Sequence, residues 1–144
     1  MKMIDNIYAT CVAINGCGVL IFGKSGSGKS DLALRLIENK NAVLVSDDRT
    51  ELCIDNNKLY ARAPSAIKGL LEVRGVGIIK LKCLDNIEVR LSVCLKDNMN
   101  QIERMPEEKF YEVNGINIPI LDLYPFEASA ADKVVIKLNA FLES

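Results

Sequence analysis

The chain has 144 residues, 49% of them apolar, and a formal net charge of −1. That suits one compact domain over 1–144, lacks the basic stripe that nucleic acid needs, and holds no run near the ~20 apolar residues of a membrane span. The start, MKMIDNIYATC, carries no apolar leader core, so a cytoplasmic location is expected.

Histidine is absent. This excludes Ser-His-Asp and Cys-His catalysis and leaves proton transfer to a carboxylate, a lysine or a tyrosine. The cysteines at 11, 17, 53, 83 and 94 form no C-x-x-C pair. They read as buried reduced thiols in strands rather than as a zinc site.

In chain order, Tyr8–Ile14 reads as a strand closed by an Asn15-Gly16 turn. Gly18–Phe22 is a short continuous apolar run, the pattern of a strand buried on both faces. Ser30–Asn39 places Leu32, Ala33, Leu36 and Ile37 at helical spacing. Ala42–Ser46 is a further buried strand, and Glu51–Ile54 with Leu59–Arg62 form a hairpin around DNNK. RAPSAIKG is a loop or short turn. Leu71–Leu81 is strand-like at both ends, with Gly75 and Gly77 between them, and Ile87–Leu95 is a strand. Residues 96–109 form a charged, exposed connection. Phe110–Val113 and Ile116–Leu121 flank Asn114-Gly115, a hairpin signal, and Val134, Leu138, Phe141 and Leu142 mark a closing helix.

The segment Gly23-Lys24-Ser25-Gly26-Ser27-Gly28-Lys29-Ser30 matches G-x-x-x-x-G-K-[ST], between a predicted strand and a predicted helix. Glycines let successive backbone N–H groups curl inward around an anion, and the helix start adds its positive end. Lys29 is expected to reach the β- and γ-phosphates, and the Ser30 hydroxyl to bind Mg²⁺. The strand Ala42–Ser46 ends in Asp47-Asp48. A strand–helix–strand unit is a parallel crossover, so both strands end at the same sheet edge, beside the phosphate loop. There one acid has the job of holding the metal or its water, and the other of accepting a proton from an attacking hydroxyl. The bland alternative is a solvated turn acid and a helix- or turn-capping acid. Glu72 lies in LLEVRG beside Arg74. It either completes the metal site or pairs with Arg74, which shares its strand face.

Four segments, GVLIFGKSGSGKSDLALRLI, LVSDD, APSAIKGLLEVRGVGII and LDLYPFEASAADKV, together resemble the catalytic, C-terminal-type domain of HPr kinase/phosphorylase, in the short form without an amino-terminal domain. The resemblance implies a mixed α/β P-loop fold, akin to the nucleotide domain of phosphoenolpyruvate carboxykinase. It implies transfer of the ATP γ-phosphoryl group to a serine of HPr, the carrier protein of the sugar phosphotransferase system. Phosphorolytic reversal and a homo-oligomer, often a hexamer, are also implied. Asp47 becomes the proton acceptor, with Asp48 supporting it or the metal. Ser30 and Glu72 become Mg²⁺ ligands, and Lys29 steadies the transferring phosphoryl. Leu71–Lys80, Arg74 included, shapes the catalytic centre. Two departures stand out. Tyr8 occupies the place of a usual histidine, and the loop at 124–129, YPFEAS, lacks the arginine of longer members. Both put the reverse direction in question. Tyr8 either approaches the acidic pair or merely packs on the sheet. A P-loop kinase of a small molecule and a regulatory nucleotide-binding module with little turnover are the competing readings.

Overall fold

The structure is a computed structural model describing residues 1–144. It is a mixed α/β fold. Its strands are β1 Lys2–Tyr8, β2 Thr10–Ile14, β3 Cys17–Phe22, β4 Val43–Ser46, β5 Arg49–Asp55, β6 Lys58–Arg62, β7 Leu70–Val73, β8 Gly77–Lys80, β9 Ile87–Leu95, β10 Phe110–Val113 and β11 Ile116–Leu123. Its helices are α1 Lys29–Asn39 and α2 Ala130–Glu143. The main sheet runs β1-β5-β6-β9-β3-β2-β4, with β11 parallel to the end of β9 and β10 on β11. β7 and β8 form a separate two-stranded hairpin.

The apolar runs at β2 and β3 lie inside, as their lack of alternation predicts. Val12, Ile14, Val19 and Ile21 face α1 and α2, packing with Leu32, Leu36, Val134 and Leu138. Cys11, Ala13 and Leu20 face the other way, against Leu52, Leu59 and Ala61 of the hairpin that folds across. Full burial of each such leucine is worth about 1.5–3 kcal/mol. α1 ends where Asn41 turns left-handed (φ 57°) and the Ala42 amide bonds the Leu36 carbonyl at 3.2 Å.

The structure changes one expectation and adds detail to two. The first strand is two: β1 begins at Lys2 and stops at Tyr8, Ala9 breaks the run, and β2 resumes at Thr10. The burial pattern of β1 is mostly exposed, so hydrophobicity gave it no signal. Next, β3 and β4 run parallel, as the crossover rule requires, but they are not neighbours. β2 lies between them, antiparallel to both. Last, Leu71–Leu81 is strand at both ends, as expected, and folds back through Arg74-Gly75-Val76 so that the two ends pair as the β7–β8 hairpin. The 96–109 connection is exposed along nearly its whole length.

Candidate active site

β3 delivers the chain into the phosphate loop, and α1 begins immediately after it. Gly28 precedes α1 with φ 103°, and no side chain caps the helix. The amides of the first turn are therefore left to an outside acceptor. Lys29 is only 8% exposed. Its ammonium donates to the Gly23 carbonyl at 2.9 Å and lies 3.6 Å from Asp48 Oδ1. An ammonium carries three donors, so Lys29 keeps capacity beyond its bond to the Gly23 carbonyl. A side chain at Gly26 would meet nothing within 4 Å, so that face of the loop is open. Ser27 Oγ is buried without a hydrogen-bond partner. Lys24 and Ser25 are exposed, Lys24 pairing with Asp97 at 3.2 Å.

The acidic pair reaches this loop. Ser30 Oγ donates to Asp47 Oδ1 at 2.7 Å. Thr10 Oγ1 donates to the same oxygen at 3.1 Å, and the Glu72 amide donates to Asp47 Oδ2 at 3.1 Å. Asp47 is buried, whereas Asp48 is exposed and turns toward Lys29. Phosphate loop, acidic pair and β7 thus converge on one carboxylate.

Glu72 joins the cluster through its backbone amide, and its side chain is exposed. Arg74 is exposed at the hairpin turn. No salt bridge joins the two, so the internal ion pair weighed for them does not form. Tyr8 lies beside the pair in register, opposite Arg49. Its hydroxyl accepts from Arg49 Nη2 at 2.8 Å, and the guanidinium stacks 4.0 Å from the ring centroid. The tyrosine therefore engages Arg49, and it is Thr10, two residues on, that touches Asp47.

Sequence reasoning missed Thr10. It also missed Phe126, whose ring lies 3.2 Å from where a Gly28 Cβ would sit. Arg35 of α1 donates to the Pro125 carbonyl at 2.6 Å, holding that wall against the loop. A lone threonine in an apolar strand has no signature of its own.

The donor set fits a magnesium nucleotide. No three Asp, Glu or Cys side chains converge to cage an ion by themselves. Mg²⁺ is ordinarily held by one or two protein oxygens, substrate phosphates and water. Ser30, whose oxygen keeps lone pairs while its proton goes to Asp47, and Glu72, whose carboxylate is exposed, would be the protein oxygens of such a set.

The family model described as HPr Serine kinase C-terminal domain matches residues 2–140. The HPr kinase/phosphorylase of Caldanaerobacter subterraneus subsp. tengcongensis is 38% identical over 112 residues, covering 76% of this chain and 36% of that protein. That of Mycoplasmopsis pulmonis is 38% identical over 111 residues, covering 77% and 34%. The chain thus spans about a third of the length of these curated relatives. The solved structure of the Hpr(Ser) kinase/phosphatase from Coxiella burnetii superposes with a TM-score of 0.84 at 27% identity, over 98% of this chain and all of that one. A match that runs nearly end to end, through both the phosphate loop and the acidic pair, places the chain in the HPr serine kinase C-terminal domain family.

Proposed function

We propose that the chain is a catalytic domain, 1–144, that transfers the γ-phosphoryl group of ATP to a serine of HPr, with Mg²⁺, in the cytoplasm and as a homo-oligomer of the hexameric kind. The observation that carries this reading is the 2.7 Å bond from Ser30 to Asp47, which joins the phosphate loop to an acid able to take a proton. When bound, the magnesium nucleotide supplies the phosphoryl group and a cation that offsets its charge. Gly23–Ser30 cradles the phosphates by backbone amides, and Lys29 steadies the charge on the transferring group. Ser30 and Glu72 would hold the cation.

A carboxylate offers about four acceptor positions. Asp47 uses three, two on Oδ1 and one on Oδ2. The fourth, on Oδ2, takes the proton of the attacking seryl hydroxyl and returns it in reverse. Asp48 stands beside Lys29 and supports the charge balance. Arg74, at the tip of an exposed hairpin, lies where an incoming protein can meet it. A folded acceptor supplies the docking that a free amino acid lacks. Tyr8 accepts from Arg49 and makes no hydrogen bond to Asp47 or Asp48, so it stands as no second proton carrier for the acidic pair. Phosphorolysis is therefore weak beside the kinase direction.

The test is incubation with labelled ATP, Mg²⁺ and purified HPr. One seryl phosphate on HPr, with none on free serine or sugars, is the expected result. Sugar phosphorylation with HPr untouched replaces this reading with a small-molecule kinase. Light scattering checks the assembly.

A further inference from the structure

We propose that Thr10 is a positioning residue for the acidic pair: one buried hydroxyl pins the Asp47 side chain and the Asp48 backbone in the arrangement that faces the phosphate loop. The proposal rests on the phosphoryl-transfer reading above.

Thr10 is fully buried. Its hydroxyl has one proton to give and lone pairs to accept with. The proton goes to Asp47 Oδ1 at 3.1 Å, and the Asp48 amide donates to the oxygen at 3.1 Å. One side chain thus fixes two consecutive residues, one by its carboxylate and the next by its main chain.

The turn it fixes is an uncommon one. The Arg49 amide bonds the Asp47 carbonyl at 2.7 Å, closing a three-residue turn with Asp48 at φ 66° in the middle. Turns of this hand are rare and strained, and such strain persists only where the surroundings over-determine it. Ser46 Oγ adds a bond to the Arg49 carbonyl. Thr10 supplies the remaining constraint, from a different strand.

The constraint is reciprocal. β1 and β2 break at Ala9, and β4 and β5 break at Asp47-Asp48, side by side in the sheet. Thr50, also fully buried, donates to the Ala9 carbonyl at 2.8 Å. Each break is therefore satisfied by a threonine from the opposite strand. Buried main-chain groups freed by a break need such partners. Here the partner on one side also touches the acid that faces Ser30.

The experiment compares Thr10→Val with Thr10→Ser. Valine keeps the branched shape a strand accepts and deletes the hydroxyl. Its kcat for phosphoryl transfer should fall roughly ten- to a hundredfold, the scale of a small misplacement of a reacting group, with KM for ATP within about twofold. Serine should recover most of the loss. A second readout needs neither metal nor turnover: in the magnesium-free protein, Asp48 amide hydrogen exchange should speed up at least about tenfold in Thr10→Val and stay slow in Thr10→Ser. If Thr10→Val fails to fold, Thr10→Ala provides the same two comparisons. Unchanged kcat and unchanged Asp48 protection in the hydroxyl-free variant overturn the proposal, as does equal damage from serine and valine, which would mean packing alone. If wild type transfers phosphate to no acceptor, the transfer reading fails, while the exchange data still decide whether Thr10 pins the turn.

Discussion

Gly28→Ala puts the loop geometry itself on trial. Gly28 has φ 103°, well beyond the left-handed region that other residues visit. A non-glycine residue held in such a conformation costs about 1–3 kcal/mol, and this angle belongs to the upper part of that range. The new Cβ would also stand 3.2 and 3.3 Å from two Phe126 ring atoms and 3.6 Å from Pro125 Cγ. Phe126 is 61% exposed and can swing aside, but Pro125 is held by Arg35. The sum is about 2–3 kcal/mol, a fall in Tm of about 5–10 °C for a chain of this size. Gly26→Ala is the control. Its φ is 77° and its Cβ meets nothing within 4 Å, so only the strain of about 1–2 kcal/mol applies. Thermal denaturation without nucleotide should rank wild type above Gly26→Ala above Gly28→Ala, and adding Phe126→Ala to Gly28→Ala should return a small part of the loss. Equal melting of the two alanine variants, or a Gly28→Ala protein as stable as wild type, refutes the reasoning.

Lys29→Ala should lower phosphoryl transfer roughly a hundredfold or more, the effect of removing one preorganised charge; near-normal turnover in a radiolabel assay rules out the phosphate-loop assignment. Asp47→Asn should bind nucleotide but lose transfer. It should also be destabilised by about 1–3 kcal/mol, because with its carbonyl kept toward Ser30 and Thr10 its NH₂ opposes the Glu72 amide; denaturant titration and the transfer assay together check this. Glu72→Gln should raise the Mg²⁺ concentration needed for half-maximal rate while leaving magnesium-free stability unchanged. Burial pushes the Cys11 thiol from its ordinary 9 to about 12, and burial also raises Cys53 and Cys94. The folded state favours the protonated thiol, so stability is intact below about pH 9 and falls as pH climbs toward 12; iodoacetamide should spare Cys11 in the native protein at pH 8, and rapid labelling there contradicts its burial.

The phosphate loop was legible because its chemistry fixes residue types at fixed offsets, and the strand–helix context made the match specific. Asp47-Asp48 was legible from topology: parallel strands end at one edge, and that holds even with β2 inserted between them. The insertion itself had no local cause in the sequence, since a buried strand looks alike in either direction. β1 was hidden because its side chains are largely exposed and its pairing with β5 is made by the main chain. Thr10 and Phe126 were hidden because their roles depend on residues 37 and 98 positions away, Asp47 and Gly28. Tyr8 was placed near the right edge, but its partner, Arg49, becomes its neighbour only through the β1–β5 register.

β9 is the strand on which everything else hangs: it pairs with β6 at its start, with β3 along its middle, and with β11 at its end. This has a consequence for synthesis. β3, which carries the phosphate loop, leaves the ribosome long before β9, and their parallel pairing joins Gly18 to Val89 and Phe22 to Cys94. Until residue 95 emerges, one edge of β3 has no partner, and the early hairpins have no central strand to close against. Closing so long a loop costs entropy before any contact repays it, which makes such pairings slow. A nascent chain stalled before Ile87 should therefore be protease-sensitive and unable to retain nucleotide, however complete its Gly23–Ser30 motif. The phosphate-loop motif lies early in the chain, and the strand that β3 pairs with on its second edge lies late.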